Sequence, residues 1–188
     1  MNKQQLRKEF LDKRKAISRS ELEELSNRIK DKFLSEPHFQ EAQHVHCFLS
    51  IARHKEIDTW PIIHALRELN KQIIISTCDF KTLEMHHFLF EKETILEETA
   101  FGILEPINAK PFSVEKIDLI IVPLLIFDKE GYRVGYGKGI YDRFLAKCRP
   151  DAIKVGLSIS EPIQAIADSD KYDIALDHCI TPKSVHSF

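Results

Sequence analysis

Leu6, Phe10 and Leu11 recur at the spacing of one helical face and predict a first helix ending near Ile17. Ser18, with Glu21 three residues later, has the spacing of a capping box. Leu22, Leu25, Ile29 and Phe33 then continue at helical spacing until Pro37 closes the segment. Both stripes read as core faces. Beyond Pro37 the period changes. His44 to Ser50 reads as a strand, and Asp58 or Thr59 as the cap of a helix with Pro61 in its first turn, running to about Asn70. Gln72 to Thr77, with three consecutive isoleucines, reads as a strand buried on both faces. Glu84 to Phe90 is a further strand, and Asp118 to Phe127, the most apolar stretch, a central one. A helix from about Gly139 to Cys148, a strand from Ile153 to Ile159 and a short terminal strand from Cys179 to Thr181 complete the pattern.

Strands that alternate with helices and are continuously apolar imply an α/β fold. Residues 1–188 are expected to form a single domain, a mostly parallel sheet flanked by helices on both faces in a three-layer, Rossmann-like arrangement. In such sheets ligands sit beyond the carboxyl ends of the strands, which directs attention to the loop after Phe127.

Composition narrows the function classes. The 188 residues carry 27 Lys plus Arg against 29 Asp plus Glu, a net charge of −2, which argues against a polyanion-packaging protein and a nucleic-acid partner. The charge is unevenly spread. Residues 1 to 33 hold ten basic against six acidic residues, and residues 129 to 149 hold six against two, so each island is +4 and the remainder carries −10. Cys47, Cys78, Cys148 and Cys179 show no metal-ligand spacing and read as reduced thiols. The opening Met1-Asn2-Lys3-Gln4-Gln5 has no apolar signal core, and the longest apolar run, broken by Pro123, falls short of a membrane span. A monomeric cytoplasmic protein with small-molecule partners and no membrane association is the expectation. The nine histidines match no zinc motif and are left out of the site, and Trp60 reads as packing.

Candidate chemistry gathers between Asp128 and Arg143. Four of the six glycines fall between positions 131 and 139, where missing Cβ atoms let backbone N–H groups face an anion closely. A helix start near Gly139 adds its dipole, and Arg133, Lys138 and Arg143 add full charges. Lys138 is followed by Gly139 rather than Ser or Thr, which excludes a Walker A loop. The spacing Gly135, Gly137, Gly139 excludes a dinucleotide fingerprint. A phosphate cradle is the reading favoured over a long glycine-rich turn with no ligand, because a bare turn does not need three cations.

Val122-Pro123 through Phe127-Asp128, Gly131, Arg133, Gly135-Tyr136-Gly137-Lys138-Gly139 and Tyr141-Asp142-Arg143-Phe144-Leu145 together resemble the signature of the 5-formyltetrahydrofolate cyclo-ligase family, also called 5,10-methenyltetrahydrofolate synthetases. Lys3-Gln4-Gln5-Leu6-Arg7 is similar to the family's N-terminal K-x-x-L-R. Phe48-Leu49-Ser50 with Glu56-Ile57-Asp58-Thr59 is similar to its folate-contacting segment. Phe101-Gly102-Ile103, Glu105-Pro106, Tyr172-Asp173, Asp177 and Ile180-Thr181 follow in the family's order, so the resemblance spans essentially the whole chain.

The resemblance implies an enzyme that uses ATP as co-substrate and Mg²⁺ to close 5-formyltetrahydrofolate into 5,10-methenyltetrahydrofolate through a phosphorylated formyl oxygen. It implies ATP contacts at Lys3, Arg7, Arg133, Val134, Gly135, Tyr136, Gly137, Lys138, Gly139, Ile140 and Tyr141. Lys138 would stabilise the transferring phosphoryl group as the catalytic residue. Folate contacts would come from Leu49, Glu56, Tyr136, Gly137, Lys138, Gly139 and Ile140, and Mg²⁺ ligands from Asp142 and Asp173. Ile140 departs from the pattern, since many family members carry Tyr there. Two other readings share the fold: a sugar-phosphate isomerase or CoA-transferase-like enzyme, and a non-catalytic nucleotide- or folate-binding module.

Overall fold

The computed structural model describes residues 1–188. Helices α1 (Lys3–Ala16) and α2 (Arg19–Ser35) are followed by a short α3 (Pro37–Glu41), strand β1 (His44–His46) and helix α4 (Trp60–Glu68). Next come β2 (Gln72–Asp79), β3 (Glu84–Leu89), β4 (Ile95–Glu98), β5 (Leu104–Ile107), β6 (Leu119–Pro123), β7 (Ile126–Phe127) and β8 (Arg133–Val134). Helix α5 (Ile140–Leu145) and strands β9 (Ile153–Leu157), β10 (His178–Ile180) and β11 (Val185–Ser187) complete the chain.

Seven strands form one sheet in the order β11-β10-β9-β6-β1-β2-β3. The inner five run parallel, while β3 and β11 close the two edges antiparallel to their neighbours. Alternation sorts the side chains into two layers. Ile73, Ile75, Leu119 and Ile121 face α2, α3 and α4, whereas Ile74, Ile120 and Val122 face α5 through Phe144 and Leu145. With both faces covered, the inner strands need no polar side, which explains their continuous hydrophobicity.

Several boundaries differ from the sequence expectation. The run Asp118 to Phe127 is two elements, because β6 ends at Pro123 and the chain turns through Leu124 and Leu125 into a separate hairpin. Both pieces are buried, so hydrophobicity continues through the change of direction. Strand β1 stops at His46, and Cys47 to Ser50 leave the sheet toward the site. Pro37 closes α2 as expected, since Glu36 before it is extended, and it also opens α3 at a position where a missing N–H costs little. The full reciprocal capping box lies at Asn2 and Gln5, while Ser18 accepts from the Glu21 amide one way only. Thr59 sits at the N-cap of α4, but its hydroxyl donates to the Phe48 carbonyl at 2.7 Å, and Asp58 accepts from the Trp60 amide at 3.0 Å. The β4–β5 hairpin and β11 are elements that the periodicity did not reveal, being short and partly polar. All four cysteines are free, as the spacing implied. No helix is long and apolar enough to cross a membrane.

The connections create a switch point. From β1 the chain crosses through α4 to β2 on one side, and later returns to place β6 on the other side of β1. The segments leaving β1 and β6 therefore diverge, and the crevice between them is where ligands of open α/β sheets bind.

Candidate active site

Helix α1 lies over that crevice. Leu6 and Phe10 pack with Leu125, Ile126 and Val134 of the β7–β8 hairpin, which ties the helix to the glycine loop that follows β8. The helix start is fixed as well. The Lys3 amide donates to Asp168 Oδ1 at 2.6 Å, and the Ala167 amide donates to the Met1 carbonyl at 3.0 Å. Buried Asp128 organises the hairpin turn by accepting from the amides of Glu130 and Tyr132, and its other oxygen accepts from the Ile166 amide.

Residues 135 to 139 form the loop itself. Arg7 donates through Nε to the Gly135 carbonyl at 2.9 Å. Gly137 has φ +85°, and a Cβ there would stand 2.7 Å from Arg7 Nη2, so this glycine admits both the backbone conformation and the guanidinium. Gly139 occupies the N-cap of α5 with φ +65°. The helix is only six residues long, shorter than the pattern implied, and contributes correspondingly little dipole. Lys138 is exposed and makes no hydrogen bond or ion pair, leaving its ammonium available above the loop.

Two ion pairs bracket the loop. Arg133, with its side chain 6% exposed, donates to Asp142 Oδ1 at 2.8 Å and to the Ile174 carbonyl at 2.5 Å. Lys3 Nζ meets Asp173 Oδ2 at 2.5 Å, and the Asp170 amide donates to the same oxygen. The Ile174 amide donates to Asp142 Oδ1 at 3.2 Å, which brings Asp142 up to the residue adjoining Asp173. Segments around positions 3, 133–142 and 173 thus converge, although 170 positions separate Lys3 from Asp173.

Asp142 Oδ2 and Asp173 Oδ1 take part in no hydrogen bond. No group of three or more His, Cys, Asp or Glu side chains converges as a metal cage. This donor set suits Mg²⁺, which is commonly held by one or two carboxylates with substrate phosphates and water supplying the rest.

A cleft opens under α1 on the side of the loop facing β1. Phe10, Arg14, Phe48, Glu56, Leu124 and Ser160 contribute to its wall. Glu56 is 6% exposed, with Oε2 accepting from the Ile51 amide at 2.7 Å and Oε1 accepting from the Tyr136 hydroxyl. Burial, with the Glu56 charge adding to it and Arg14 opposing it, raises the Tyr136 phenol above its ordinary range, so it remains a donor. Burial likewise raises the Tyr141 phenol.

Most sequence-predicted positions meet here: Lys3, Arg7, Glu56, Arg133, Gly135 to Gly139, Asp142 and Asp173, while the side chains of Val134 and Tyr141 pack into the core on either side. Leu49 differs, because its side chain lies in the core against α2 and α4 while its neighbour Phe48 reaches the cleft. Ile140 and Arg143 are also apart, their side chains lining a separate depression with His87, Phe144 and Lys147. Sequence reasoning overlooked Arg14, which is 8% exposed and donates through Nη2 to the Tyr136 hydroxyl at 2.5 Å. A signal was present, since Lys3, Arg7 and Arg14 lie within about 40° around a helix of 3.6 residues per turn.

The family model for the 5-formyltetrahydrofolate cyclo-ligase family matches residues 1–182. The chain belongs to that family. Among other cyclo-ligases, the 5-formyltetrahydrofolate cyclo-ligase of Mus musculus is 28% identical over 189 residues, which cover 95% of this chain and 92% of the mouse protein. The NMR structure of Aquifex aeolicus 5,10-methenyltetrahydrofolate synthetase superposes with a TM-score of 0.82 at 32% identity, covering 100% of this chain and 93% of that one. A 5,10-methenyltetrahydrofolate synthetase structure from Mycoplasma pneumoniae shares the fold, with a TM-score of 0.74 at 23% identity over 97% of this chain and 99% of that one. The cyclo-ligase family is one of enzymes, and its match takes in every residue of the site described above.

Proposed function

We propose that this cyclo-ligase family member converts 5-formyltetrahydrofolate to 5,10-methenyltetrahydrofolate at the expense of ATP. The observation that carries the reading is the convergence of Lys3, Arg7, Arg133, Asp142 and Asp173 on one glycine loop, from segments far apart in sequence. Cyclisation alone would have to expel a formamide oxygen, a poor leaving group; phosphorylation makes it a good one. In the proposed reaction the formyl oxygen attacks the γ-phosphorus and the bridging oxygen departs with ADP. N10 then adds to the activated carbon and loses its proton, and the C–O bond breaks to release phosphate.

The chain's part is alignment and charge compensation. Lys3, Arg7 and Arg133, with loop residues Val134 to Tyr141, would receive the triphosphate. Lys138, whose ammonium is unengaged, would stabilise the γ-phosphoryl group as charge shifts during transfer. Mg²⁺, held by Asp142 and Asp173, would neutralise phosphate charge. Arg133 and Lys3 hold the same carboxylates through Asp142 Oδ1 and Asp173 Oδ2, which would leave Asp142 Oδ2 and Asp173 Oδ1 for the ion. Glu56 and the loop from Tyr136 to Ile140 would contact the folate, with Leu49 offering its main chain. A buried carboxylate suits the N–H donors of a pterin edge.

The test is the methenyl-folate absorbance formed from 5-formyltetrahydrofolate. Absorbance is expected only when ATP and Mg²⁺ are both present; equal formation without ATP, or none with it, would overturn the reading.

A further inference from the structure

Three observations meet at Arg14. Its guanidinium lies in the interior, near the C-terminal end of α1, and its Nε is buried without a hydrogen-bond partner. The guanidinium carbon stands 5.5 Å from the centre of the Tyr136 ring, while Nη2 donates to the Tyr136 hydroxyl. That hydroxyl, having one proton, can accept from Arg14 and still donate to Glu56 Oε1. Arg14, Tyr136 and Glu56 therefore form a one-directional relay from the first helix, through the glycine loop, to the carboxylate in the cleft.

The relay has a fixed geometry at both ends. Glu56 Oε2 is held by the Ile51 amide, and Lys55 donates to the carbonyls of Lys15 and Ile17 at 2.5 and 2.6 Å, joining the Glu56 segment to the end of α1. Tyr136 is 42% exposed as a residue, yet its hydroxyl end is enclosed between Arg14 and Glu56. An exposed aromatic ring on a loop has no intrinsic reason to lie in one orientation; here a buried cation supplies it. Arg7 holds the same loop seven residues earlier on α1, so the helix grips the loop main chain at one point and a loop side chain at another.

We propose that Arg14 is a positioning residue that, acting through Tyr136, orients Glu56 and holds the glycine loop against the folate side of the cleft. The proposal rests on the reading of Glu56 as a folate contact. Arg14 touches no reacting atom; it sets which Glu56 oxygen is occupied and which direction remains for the substrate. The relay also separates the two substrates functionally. Lys3, Arg7 and Arg133 address the loop from the nucleotide side, whereas Arg14 addresses it from the cleft, so loss of Arg14 should be felt in folate binding and hardly in ATP binding.

The experiment uses the full chain in five forms: wild type, Arg14→Met, Tyr136→Phe, the double variant, and Arg14→Lys as the conservative replacement. Calorimetric titration with 5-formyltetrahydrofolate is run beside steady-state measurement of KM for folate and for ATP. Both single variants are expected to weaken folate binding about tenfold, and Arg14→Met, which lies outside the nucleotide-binding residues, to leave KM for ATP within about twofold of wild type. The double variant is expected to be no weaker than either single one, since each breaks the same relay. Arg14→Lys is expected to recover part of the affinity. Tyr136→Phe removes only the hydroxyl enclosed between Arg14 and Glu56 and reports on the relay even if Arg14→Met fails to fold. Folate affinity unchanged in Tyr136→Phe, multiplicative losses in the double variant, or equal losses for folate and ATP would overturn the proposal. Failure of wild type to bind 5-formyltetrahydrofolate would instead overturn the function on which it rests.

Discussion

Gly137 offers the sharpest separation between backbone and side-chain effects. Its φ of +85° lies in the left-handed region, and a Cβ would fall 2.7 Å from Arg7 Nη2 and 2.8 Å from Cζ. Two costs follow for Gly137→Ala. Holding an alanine in left-handed backbone costs about 1–2 kcal/mol. The contact is with the far end of a flexible side chain, so Arg7 moves rather than the loop, and its bond to the Gly135 carbonyl at 2.9 Å is lost. A half-buried charged hydrogen bond adds about 1 kcal/mol. The sum, about 2–3 kcal/mol, corresponds to a fall in Tm of about 4–12 °C for a chain of this size. Two neighbours serve as internal controls. Gly139→Ala has φ +65° but open space, so only the backbone cost of about 1 kcal/mol applies. Gly135→Ala has neither a left-handed φ nor a contact and should lie within about 0.5 kcal/mol of wild type. Thermal unfolding followed by circular dichroism orders the three. ATP titration in the absorbance assay should show KM raised about tenfold in Gly137→Ala alone, because Arg7 is the displaced group. Equal destabilisation by Gly135→Ala and Gly137→Ala, or an unchanged KM for ATP in Gly137→Ala, would refute the argument.

Lys138→Ala should lower kcat about 10²–10³-fold while folate affinity measured by calorimetry changes less than about threefold; equal losses would remove its assigned role on the transferring group. Asp142→Asn leaves the Arg133 guanidinium without its anion and should cost about 2 kcal/mol in urea unfolding, together with a higher Mg²⁺ concentration for half-maximal rate. An unchanged Mg²⁺ dependence would exclude Asp142 from the metal position. Burial lowers the His46 imidazole well below its usual range and the His87 imidazole to about 4, so the native state holds both neutral where the unfolded chain, titrating near 6.5, is already protonated. Stability should therefore fall as pH drops below about 6.5, the His87 contribution levelling off below about 4. His87→Phe should reduce the fall in urea-unfolding free energy across that window, leaving the His46 part, and a wild-type profile already flat there would contradict the assignment.

What could be read along the chain, and what could not, follows from the distance over which each feature is made. Helices α1 and α2 were legible because one apolar stripe repeats every three or four residues within each segment. The glycine loop was legible because its chemistry is concentrated in nine positions. The break between β6 and β7 was not, since both pieces are buried and hydrophobicity records burial rather than direction. Leu49 and Phe48 are adjacent in an apolar stretch, and only the departure of the chain from the sheet after His46 decides which enters the core and which the cleft. Arg14 looked like one more charge on a solvated helix. Its burial depends on Tyr136 and Glu56 arriving from 122 and 42 positions away, which no local pattern encodes.

The amino-acid sequence determined the local terms: the helical stripes, the parallel buried strands, the glycines able to take left-handed backbone, and the two basic islands with a surplus of +4 each. Tertiary structure decided which of those charges face each other. Lys3 meets Asp173, Arg133 meets Asp142 and Arg14 meets Tyr136 because the chain places β2 and β6 on opposite sides of β1 and α1 folds across the crevice this leaves. The physical reason is that propensity and periodicity act over a turn or two of chain, whereas a charge falls off with distance in space, and distance in space is set by the topology.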